Sequence, residues 1–250
     1  MTDFLLVTDL DHTLIGDDTA LIILNEVLEK KRQQENIKLV YSTGRSLELY
    51  RQLNQEKSLL SPDALITSVG TEIYFHPIKD NFDLQWANQV SEKWDREAVF
   101  SIASHFADLV LQPSSEQTPF KVSYCLSDTI AQEVLPRLKA DLAREKLETQ
   151  VIYSASYALD ILPKNGGKGA ALQYLRNKWT IAANKTVVCG DSGNDITLFQ
   201  GEERGIIVGN AKSELLQWYY QHQTPFRYLA KQYCAKGILE GLNHFKFITT

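Results

Sequence analysis

Two carboxylates, Asp9 and Asp11, stand one residue apart directly after the apolar run of residues 4–8. Because alternate residues of an extended chain point to the same side, both carboxylates face the same way at the end of a predicted strand. Like charges held this close are costly unless a cation or a shared proton relieves them. The pattern therefore indicates a metal-dependent reaction at a strand end, where open α/β sheets bind their ligands.

Three later segments carry groups of the kind that bind an anion or a metal ion. Residues 42–45 (Ser-Thr-Gly-Arg) join a predicted strand to a predicted helix, and their Thr-Gly turn offers a hydroxyl and backbone N–H groups to an anion. Residues 166–169 (Gly-Gly-Lys-Gly) put a lysine at a helix start. Residues 190–195 (Gly-Asp-Ser-Gly-Asn-Asp) bring acids and an amide to another strand end. This combination suits phosphoryl transfer.

Phosphoryl transfer gives the two N-terminal carboxylates different tasks. Asp9 can attack phosphorus and form an aspartyl-phosphate. Asp11, when protonated, can donate to the leaving oxygen and then take a proton from water. Because a phosphomonoester is anionic, the attacking carboxylate needs Mg²⁺ and a fixed cation beside it. Thr43 and Lys168 are the candidates for holding the phosphoryl oxygens.

The magnesium ion would need hard oxygen ligands and would keep some of its waters. Asp9, Asp191 and the backbone carbonyl of Asp11 would supply them. We expect Asp195 to orient Lys168 or a metal-bound water rather than to bind the ion directly. A carboxylate at this position can also cap the helix that follows it, and the two roles are compatible.

Composition excludes several classes of partner. The chain has 250 residues, 44% of them hydrophobic, and a net charge of −5, so nucleic acid and anionic membrane surfaces are poor partners. The sequence contains no run of about 20 apolar residues, so no membrane span is predicted. The start of the chain lacks the basic segment of a secretory leader. The three cysteines show neither a tight pair nor metal-ligand spacing, which favours a reducing, cytoplasmic location.

Strand and helix signals alternate at both ends of the chain, which predicts an α/β fold with a Rossmann-like parallel-sheet core. Short apolar runs bounded by turn residues predict the strands, at residues 4–8, 38–42, 64–69, 186–189 and 205–208. The helices are predicted between them, at residues 19–34, 46–56, 168–178, 194–200 and 212–221.

The middle of the chain predicts an inserted α+β cap domain. Two long helices are expected at residues 91–110 and 129–146, interleaved with strands at 120–126, 149–153 and 157–162. Residues rich in proline and glycine near 76–79 and 163–167 fit linkers between the two units. We therefore assign residues 1–78 and 164–250 to the catalytic core and residues 79–163 to the cap.

The four segments, in this order along the chain, resemble the motifs of the haloacid dehalogenase superfamily of phosphatases, and the insert resembles that superfamily's C2B-type cap. The resemblance spans essentially the whole chain. It implies that Asp9 is the nucleophile and Asp11 the general acid and base. The site residues that it further implies are Thr43, Gly44, Lys168 and Asn194 for phosphate, and Asp9, Asp11, Asp191 and, indirectly, Asp195 for Mg²⁺.

Four other stretches resemble the sucrose-phosphatase family, particularly its short, single-unit form. They are residues 68–74, 85–86, 119–124 and 188–195. The resemblance implies Mg²⁺-dependent hydrolysis of sucrose 6-phosphate to sucrose and phosphate, and association with sucrose-phosphate synthase. Two alternatives stay open, because fold does not fix substrate. The substrate can be another sugar phosphate, such as trehalose 6-phosphate or mannosyl-3-phosphoglycerate, or the chain can be a non-catalytic, sugar-phosphate-binding partner of a synthase.

A disaccharide presents many hydroxyls, which need fixed polar partners. The sugar-binding candidates on the cap or facing it are Thr71, Glu72, Gln117, Thr118, Lys121 and Asp160. Arg45 fits equally well at the edge of the site or in a structural ion pair. Trp86 and Trp94 could stack on sugar rings, but packing of a helix on a sheet is the favoured interpretation. No assembly signal is evident, so a monomer is expected.

Overall fold

The computed structural model describes residues 4–76 and 81–248. Its strands are β1 Phe4–Thr8, β2 Ile37–Ser42, β3 Ala64–Thr67, β4 Glu72–Phe75, β5 Asn81–Phe82, β6 Val110–Leu111, β7 Val122–Cys125, β8 Thr149–Ser154, β9 Ala158–Pro163, β10 Thr186–Gly190, β11 Arg204–Ile207 and β12 Arg227–Leu229. Its α-helices are α1 Asp18–Gln34, α2 Leu47–Glu56, α3 Leu84–Ser91, α4 Arg96–Ala103, α5 Asp128–Arg144, α6 Lys168–Trp179, α7 Ser213–Gln221 and α8 Cys234–His244.

Eight strands form the core sheet in the order β12-β11-β10-β1-β2-β3-β4-β5. The strands from β12 to β3 are parallel, whereas β4 and β5 add to the edge in antiparallel pairing. Because β1 lies between β10 and β2, the carboxyl ends of these three strands meet at one edge of the sheet. The predicted α/β class and parallel core are confirmed.

The central strands are apolar because the sheet is covered on both faces. One face of β1, represented by Leu6, packs with residues of α1, α2 and α8. The other face, represented by Leu5 and Val7, packs with residues of α3, α6 and α7. Both faces of β1 are therefore buried, which holds its carboxyl end rigidly at the sheet edge.

A second, antiparallel sheet in the order β6-β7-β9-β8 packs against α4 and α5 around a hydrophobic cluster of its own. We call residues 96–163 the cap. Between residue 81 and α4, β5 pairs with β4 of the core sheet, and Trp86 and Val90 of α3 pack in the core. The expected boundary at residues 78–79 lies outside the described residues, and the division of the chain into residues 1–78 with 164–250 and residues 79–163 stays a prediction.

The single helix predicted at residues 91–110 is wrong, because α3 ends at Ser91, α4 covers only Arg96–Ala103, and Val110 begins β6. Asp83 caps the start of α3 and Asp95 caps the start of α4, each accepting hydrogen bonds from backbone N–H groups in the first turn. Residues 194–200 also differ, because they form a 3₁₀ turn, Gly193–Phe199, that a reciprocal capping box of Ser192 and Asp195 opens.

The predicted strand 64–69 ends two residues early. Ser68 and Val69 have positive φ angles of 52° and 57°, which turn the chain away from the sheet after Thr67. Within the described residues no helix combines the length and the apolar composition that crossing a membrane requires.

Candidate active site

A lysine and two carboxylates form a buried ion-pair cluster at the end of β1. Lys168 Nζ lies 2.7 Å from Asp9 Oδ1 and 2.7 Å from Asp195 Oδ1. Lys168 comes from the first turn of α6, which the sequence predicts, and its side chain is completely buried. The cluster fixes an ammonium group beside the carboxylate that the sequence singles out as the nucleophile.

Asp195 uses both of its carboxylate oxygens. Oδ1 accepts from Lys168, while Oδ2 accepts from the backbone N–H groups of Asp191, at 3.0 Å, and Ser192, at 3.1 Å. One side chain therefore orients the lysine and holds the loop after β10 at the same time. The contact with Lys168 is the geometry that the first of the two roles expected of Asp195 requires, and the role itself stays a prediction.

Asp191 completes a group of three carboxylates. Ligand oxygens of Asp9, Asp191 and Asp195 lie within 4.8 Å of one another, and all three residues are buried. Thr13 donates from its hydroxyl to Asp191 Oδ1 at 3.0 Å, which orients that carboxylate. Three negative charges face one lysine here, so the donor set fits a hard divalent cation such as Mg²⁺.

The electrostatics of this cluster support that fit. Burial raises the pKa of Asp9 well above its ordinary value, with the charges of Asp195 and Asp191 adding to the effect and Lys168 opposing it. Burial and the neighbouring Asp195 raise the pKa of Asp191 to about 7. For Lys168, burial lowers the pKa, but Asp195 and Asp9 outweigh it and raise it. The cluster carries more negative charge than one lysine balances.

Asp11 lies closer to solvent than Asp9 and faces an arginine. Arg45 Nε and Nη2 each donate to one oxygen of Asp11, both at 2.8 Å, in a two-pronged contact. The two residues line the same cavity, so both sequence interpretations of Arg45 hold. Asp11 and Asp9 thus both line the cavity, with Asp11 partly exposed and Asp9 buried.

The loop after β2 supplies the other phosphate candidates. The backbone N–H of Arg45 donates to Thr43 Oγ1 at 3.1 Å, and Thr43 is fully buried. Gly44 and Asn194 both line the cavity, and a Cβ atom added at Gly44 would lie 3.7 Å from the Asn194 amide nitrogen. The structure therefore brings the segments after β1, β2 and β10 together, as their positions at strand ends predict.

A cavity of about 340 Å³ separates this core site from the cap. The core side carries Asp9, Asp11, His12, Gly44, Arg45, Leu49, Asp191, Ser192, Asn194 and Lys212. The cap side carries Gln112, Glu116, Lys121, Ser154, Ala155, Ala158 and Asp160. A ligand in this cavity would contact the two units at once.

Two of the six sugar-binding candidates, Lys121 and Asp160, line the cavity. Lys121 is almost completely buried, and its Nζ lies 3.3 Å from the Gly44 carbonyl oxygen, 3.5 Å from Glu116 Oε2 and 3.6 Å from Asp160 Oδ1. The Ser123 hydroxyl donates to Asp160 Oδ1 at 2.6 Å. A cationic group of the cap is therefore fixed at the mouth of the core site.

The structure does not bring the other four candidates to the cavity. Thr71 donates to the Ser68 carbonyl, and the Glu72 carboxylate accepts from the hydroxyls of Thr67, Ser68 and Tyr74. These contacts hold the chain reversal between β3 and β4, so both side chains serve the core internally.

Gln117 and Thr118 are likewise engaged within the cap. The Gln117 amide bonds the backbone of Gln112 and Ser123, and the backbone of Thr118 pairs with that of Lys121. Among the described residues, neither side chain lines the cavity.

Several cavity residues escaped the sequence interpretation. Glu116 stands next to Gln117, but nothing in the local pattern shows which of the two points toward the core. Ser154, Ala155 and Ala158 carry no chemical signal. Lys212 follows β11, so the rule that ligands bind at the carboxyl ends of parallel strands would have found it.

The chain is similar to known proteins over most of its length. The profile of the Sucrose-6F-phosphate phosphohydrolase family matches residues 2–246. Probable sucrose-phosphatase 2 of Arabidopsis thaliana is 39% identical over 254 residues, which cover 97% of this chain and 59% of the plant protein. The chain thus spans about three fifths of that relative's length.

Two relatives match over at least 96% of their length. Mannosylfructose-phosphate phosphatase of Agrobacterium fabrum is 32% identical, over 96% of each chain. The X-ray structure of the sucrose-phosphatase from Synechocystis sp. PCC6803, in complex with sucrose and phosphate, superposes with a TM-score of 0.94 at 40% identity, over 100% of each chain. The chain belongs to the Sucrose-6F-phosphate phosphohydrolase family of the haloacid dehalogenase superfamily.

Proposed function

We propose that this chain is a Mg²⁺-dependent phosphatase that hydrolyses sucrose 6-phosphate to sucrose and phosphate. The observation that carries the proposal is the buried Asp9–Lys168–Asp195 cluster, which opens together with Asp191 into a cavity closed on its far side by the cap. An anionic phosphate would lie against the core, and a sugar would extend toward Lys121 and Asp160 of the cap.

In the proposed reaction, the Asp9 carboxylate attacks phosphorus and the ester bond to the sugar oxygen breaks. Asp11 donates a proton to that leaving oxygen, so the sugar departs as a neutral alcohol. The ionised Asp11 then takes a proton from water as the water attacks the aspartyl-phosphate, and free phosphate and Asp9 result. Lys168, held by Asp195, balances charge on Asp9 and on the phosphoryl oxygens.

Asp9, Asp191 and the backbone carbonyl of Asp11 are the proposed ligands of Mg²⁺, with Asp195 acting indirectly. When bound, the ion would neutralise the phosphate dianion beside the attacking carboxylate. Thr43, Gly44 and Asn194 are the proposed partners of the phosphoryl oxygens. Their support is the shared sheet edge and the cavity that Gly44 and Asn194 line.

Full-length similarity to a mannosylfructose-phosphate phosphatase supports a second candidate substrate, the phosphate of mannosylfructose. The core chemistry would be the same for both disaccharide phosphates, so the difference would lie in the cap wall. The earlier alternatives, trehalose 6-phosphate and mannosyl-3-phosphoglycerate, are tested by the same panel of esters.

The experiment that tests the proposal is phosphate release from sucrose 6-phosphate, mannosylfructose phosphate, trehalose 6-phosphate, glucose 6-phosphate and mannosyl-3-phosphoglycerate, with Mg²⁺ and with EDTA. We expect the highest kcat/KM for sucrose 6-phosphate, and we expect no phosphate release in EDTA. A higher kcat/KM for another ester would keep the mechanism and replace the substrate. No release from any ester would favour a non-catalytic binding partner of a synthase.

The location, the oligomeric state and a protein partner of the chain are further parts of the proposal. The three cysteines are free thiols, which supports a cytoplasmic location. We propose that the chain acts as a monomer, with sucrose-phosphate synthase as a candidate partner. Size-exclusion chromatography with light scattering, alone and with the synthase, tests both points.

A further inference from the structure

The turn between β8 and β9 of the cap has an unusual backbone. Its two central residues, Ala155 and Ser156, have positive φ angles of 54° and 56°, and the Tyr157 N–H donates to the Ser154 carbonyl at 3.2 Å. Tight hairpin turns of this shape usually carry Asn and Gly, because other residues are strained there. A compensating contact is therefore expected at this turn.

Glu214, in the first turn of α7 in the core, supplies that contact. Its Oε1 accepts from the Ala155 N–H at 2.8 Å and from the Gly193 N–H at 3.3 Å. A carboxylate is also favoured at the start of a helix, where the backbone N–H groups point outward. A single oxygen thus joins the cap turn to the loop that carries Asp191.

Gly193 allows the two units to approach this closely. A Cβ atom at this position would lie 2.9 Å from the Tyr153 carbonyl oxygen of the cap and 3.0 Å from Glu214 Cγ. Both distances are shorter than ordinary van der Waals contact. The absence of a side chain at Gly193 is therefore a requirement for the docking of β8 and Glu214 at this loop.

The docked turn forms part of the cavity wall, whereas Glu214 does not line the cavity. Ser154, Ala155 and Ala158 line it on the cap side, and Asp191 and Ser192 line it on the core side. The position of the turn therefore contributes to the width of the cavity between cap and core. Lys121 also joins cap to core, but it lines the cavity and would touch a ligand directly.

We propose that Glu214 is a positioning residue that fixes the position of the cap on the core by holding the turn of residues 154–157 against the Gly193 loop. The proposal rests on the proposed function for its link to catalysis. Glu214 acts through the Ala155 N–H and makes no contact with substrate, so its loss affects esters that need the cap and spares esters that do not.

The test compares Glu214→Ala, Glu214→Gln and the control Gln217→Ala, an exposed position on the same helix. With sucrose 6-phosphate, we expect kcat/KM of Glu214→Ala to fall roughly tenfold, mainly through KM, as for loss of a charged hydrogen bond at a partly exposed position. Turnover of acetyl phosphate, which has no sugar for the cap to hold, stays within twofold of wild type. Glu214→Gln keeps an acceptor oxygen and recovers part of the loss, and Gln217→Ala matches wild type.

Hydrogen exchange of the backbone amides of residues 153–157 gives a readout without turnover. Exchange accelerates roughly tenfold in Glu214→Ala and not in Gln217→Ala, because only the former loses the acceptor of the Ala155 N–H. An exchange rate in Glu214→Ala equal to that of wild type would overturn the proposal. An equal loss of kcat/KM on sucrose 6-phosphate and acetyl phosphate, or no recovery in Glu214→Gln, would also overturn it. If the wild type fails on sucrose 6-phosphate, the proposed substrate is wrong, and the exchange data still decide the role of Glu214.

Discussion

Lys168 and Asp195 form an ion pair in which both side chains are fully buried, with Nζ 2.7 Å from Oδ1. Burying two charges is costly unless further hydrogen bonds satisfy them. Here Lys168 also reaches Asp9, and Asp195 also accepts from two backbone N–H groups. The pair is therefore a fixed part of the site, and its loss leaves buried charges without partners.

Replacing Lys168 by Met should abolish turnover and destabilise the fold. We expect the free energy of unfolding to fall by about 3–5 kcal/mol, because two buried carboxylates lose their cation. Urea denaturation followed by circular dichroism measures this change. Lys178→Met on the same helix is the matched control, since its ion pair with Asp83 is partly exposed and should contribute only about 0–1 kcal/mol. Similar losses in both variants would contradict the special role of the buried pair.

Asp9→Asn should remove turnover without unfolding the protein. The amide has nearly the shape of the carboxylate but cannot attack phosphorus, so kcat should fall by a factor of at least about 1,000. Stability in EDTA at pH 8 should be unchanged or higher, because the substitution relieves repulsion between Asp9, Asp191 and Asp195. Phosphate release and thermal denaturation measure the two quantities. Turnover within tenfold of wild type would require another nucleophile.

The core side of the candidate active site could be predicted from sequence, because its residues directly follow strands of the parallel sheet. A parallel sheet brings the carboxyl ends of neighbouring strands to one edge, so short motifs after β1, β2 and β10 must meet. Lys168 could be predicted as a site residue because a glycine-rich turn precedes it at the start of a helix. The pairing of Arg45 with Asp11 could not be predicted, since the sequence does not show which carboxylate an arginine in that loop reaches.

The proposed sugar-binding residues could be predicted only in part, because their positions depend on how the cap packs against the core. Lys121 and Asp160 line the cavity, but Thr71 and Glu72 look equally suitable in sequence and instead satisfy their own chain reversal. The helix predicted across 91–110 failed for a related reason. Asp95 offers a helix start that competes with continuous helix, and apolar periodicity alone does not reveal the break.

The contribution of Asp9 and Asp191 to the stability of the metal-free protein should fall as pH rises from about 4 to beyond 7. The pKa of Asp191 is raised to about 7 and that of Asp9 is raised in the same direction, so the folded state binds more protons than the unfolded state in this range. The stabilisation is present below the unfolded pKa and is lost as pH passes the folded pKa.

Saturating Mg²⁺ should reverse this trend, since it binds the ionised carboxylates. At about 100 times its Kd the ion should contribute about 2.7 kcal/mol, or a rise in Tm of roughly 5 °C or more at pH 8. The rise should shrink toward pH 5, where protons compete. Thermal denaturation in EDTA and in Mg²⁺ across this pH range tests both signs, and an equal Mg²⁺ effect at pH 5 and pH 8 would contradict the assignment.

Lys121→Met should lower kcat/KM for sucrose 6-phosphate without changing Mg²⁺ binding in the core. The substitution removes the cation that faces Glu116, Asp160 and the Gly44 carbonyl, so kcat/KM for sucrose 6-phosphate should fall by about 10- to 100-fold. The rise in Tm with Mg²⁺ should be unchanged, because its ligands lie in the core. The exposed Lys93, which precedes the cap and pairs with Glu148 of the cap, offers a control as Lys93→Met. Unchanged kcat/KM would exclude a contact between Lys121 and the sugar ester.

Gly190→Ala tests how tightly the loop after β10 is packed. A Cβ atom there would lie 2.5 Å from Asp195 Cβ and 2.6 Å from Asp195 Cγ, so Asp195 must move. Movement of Asp195 withdraws a hydrogen-bond partner from Lys168 and misplaces the ammonium group beside Asp9. We expect kcat to fall by at least about 100-fold, with a loss of about 1–3 kcal/mol in stability from overpacking. Steady-state kinetics and urea denaturation measure the two losses, and a variant with wild-type kcat would show that the position of Asp195 does not govern the site.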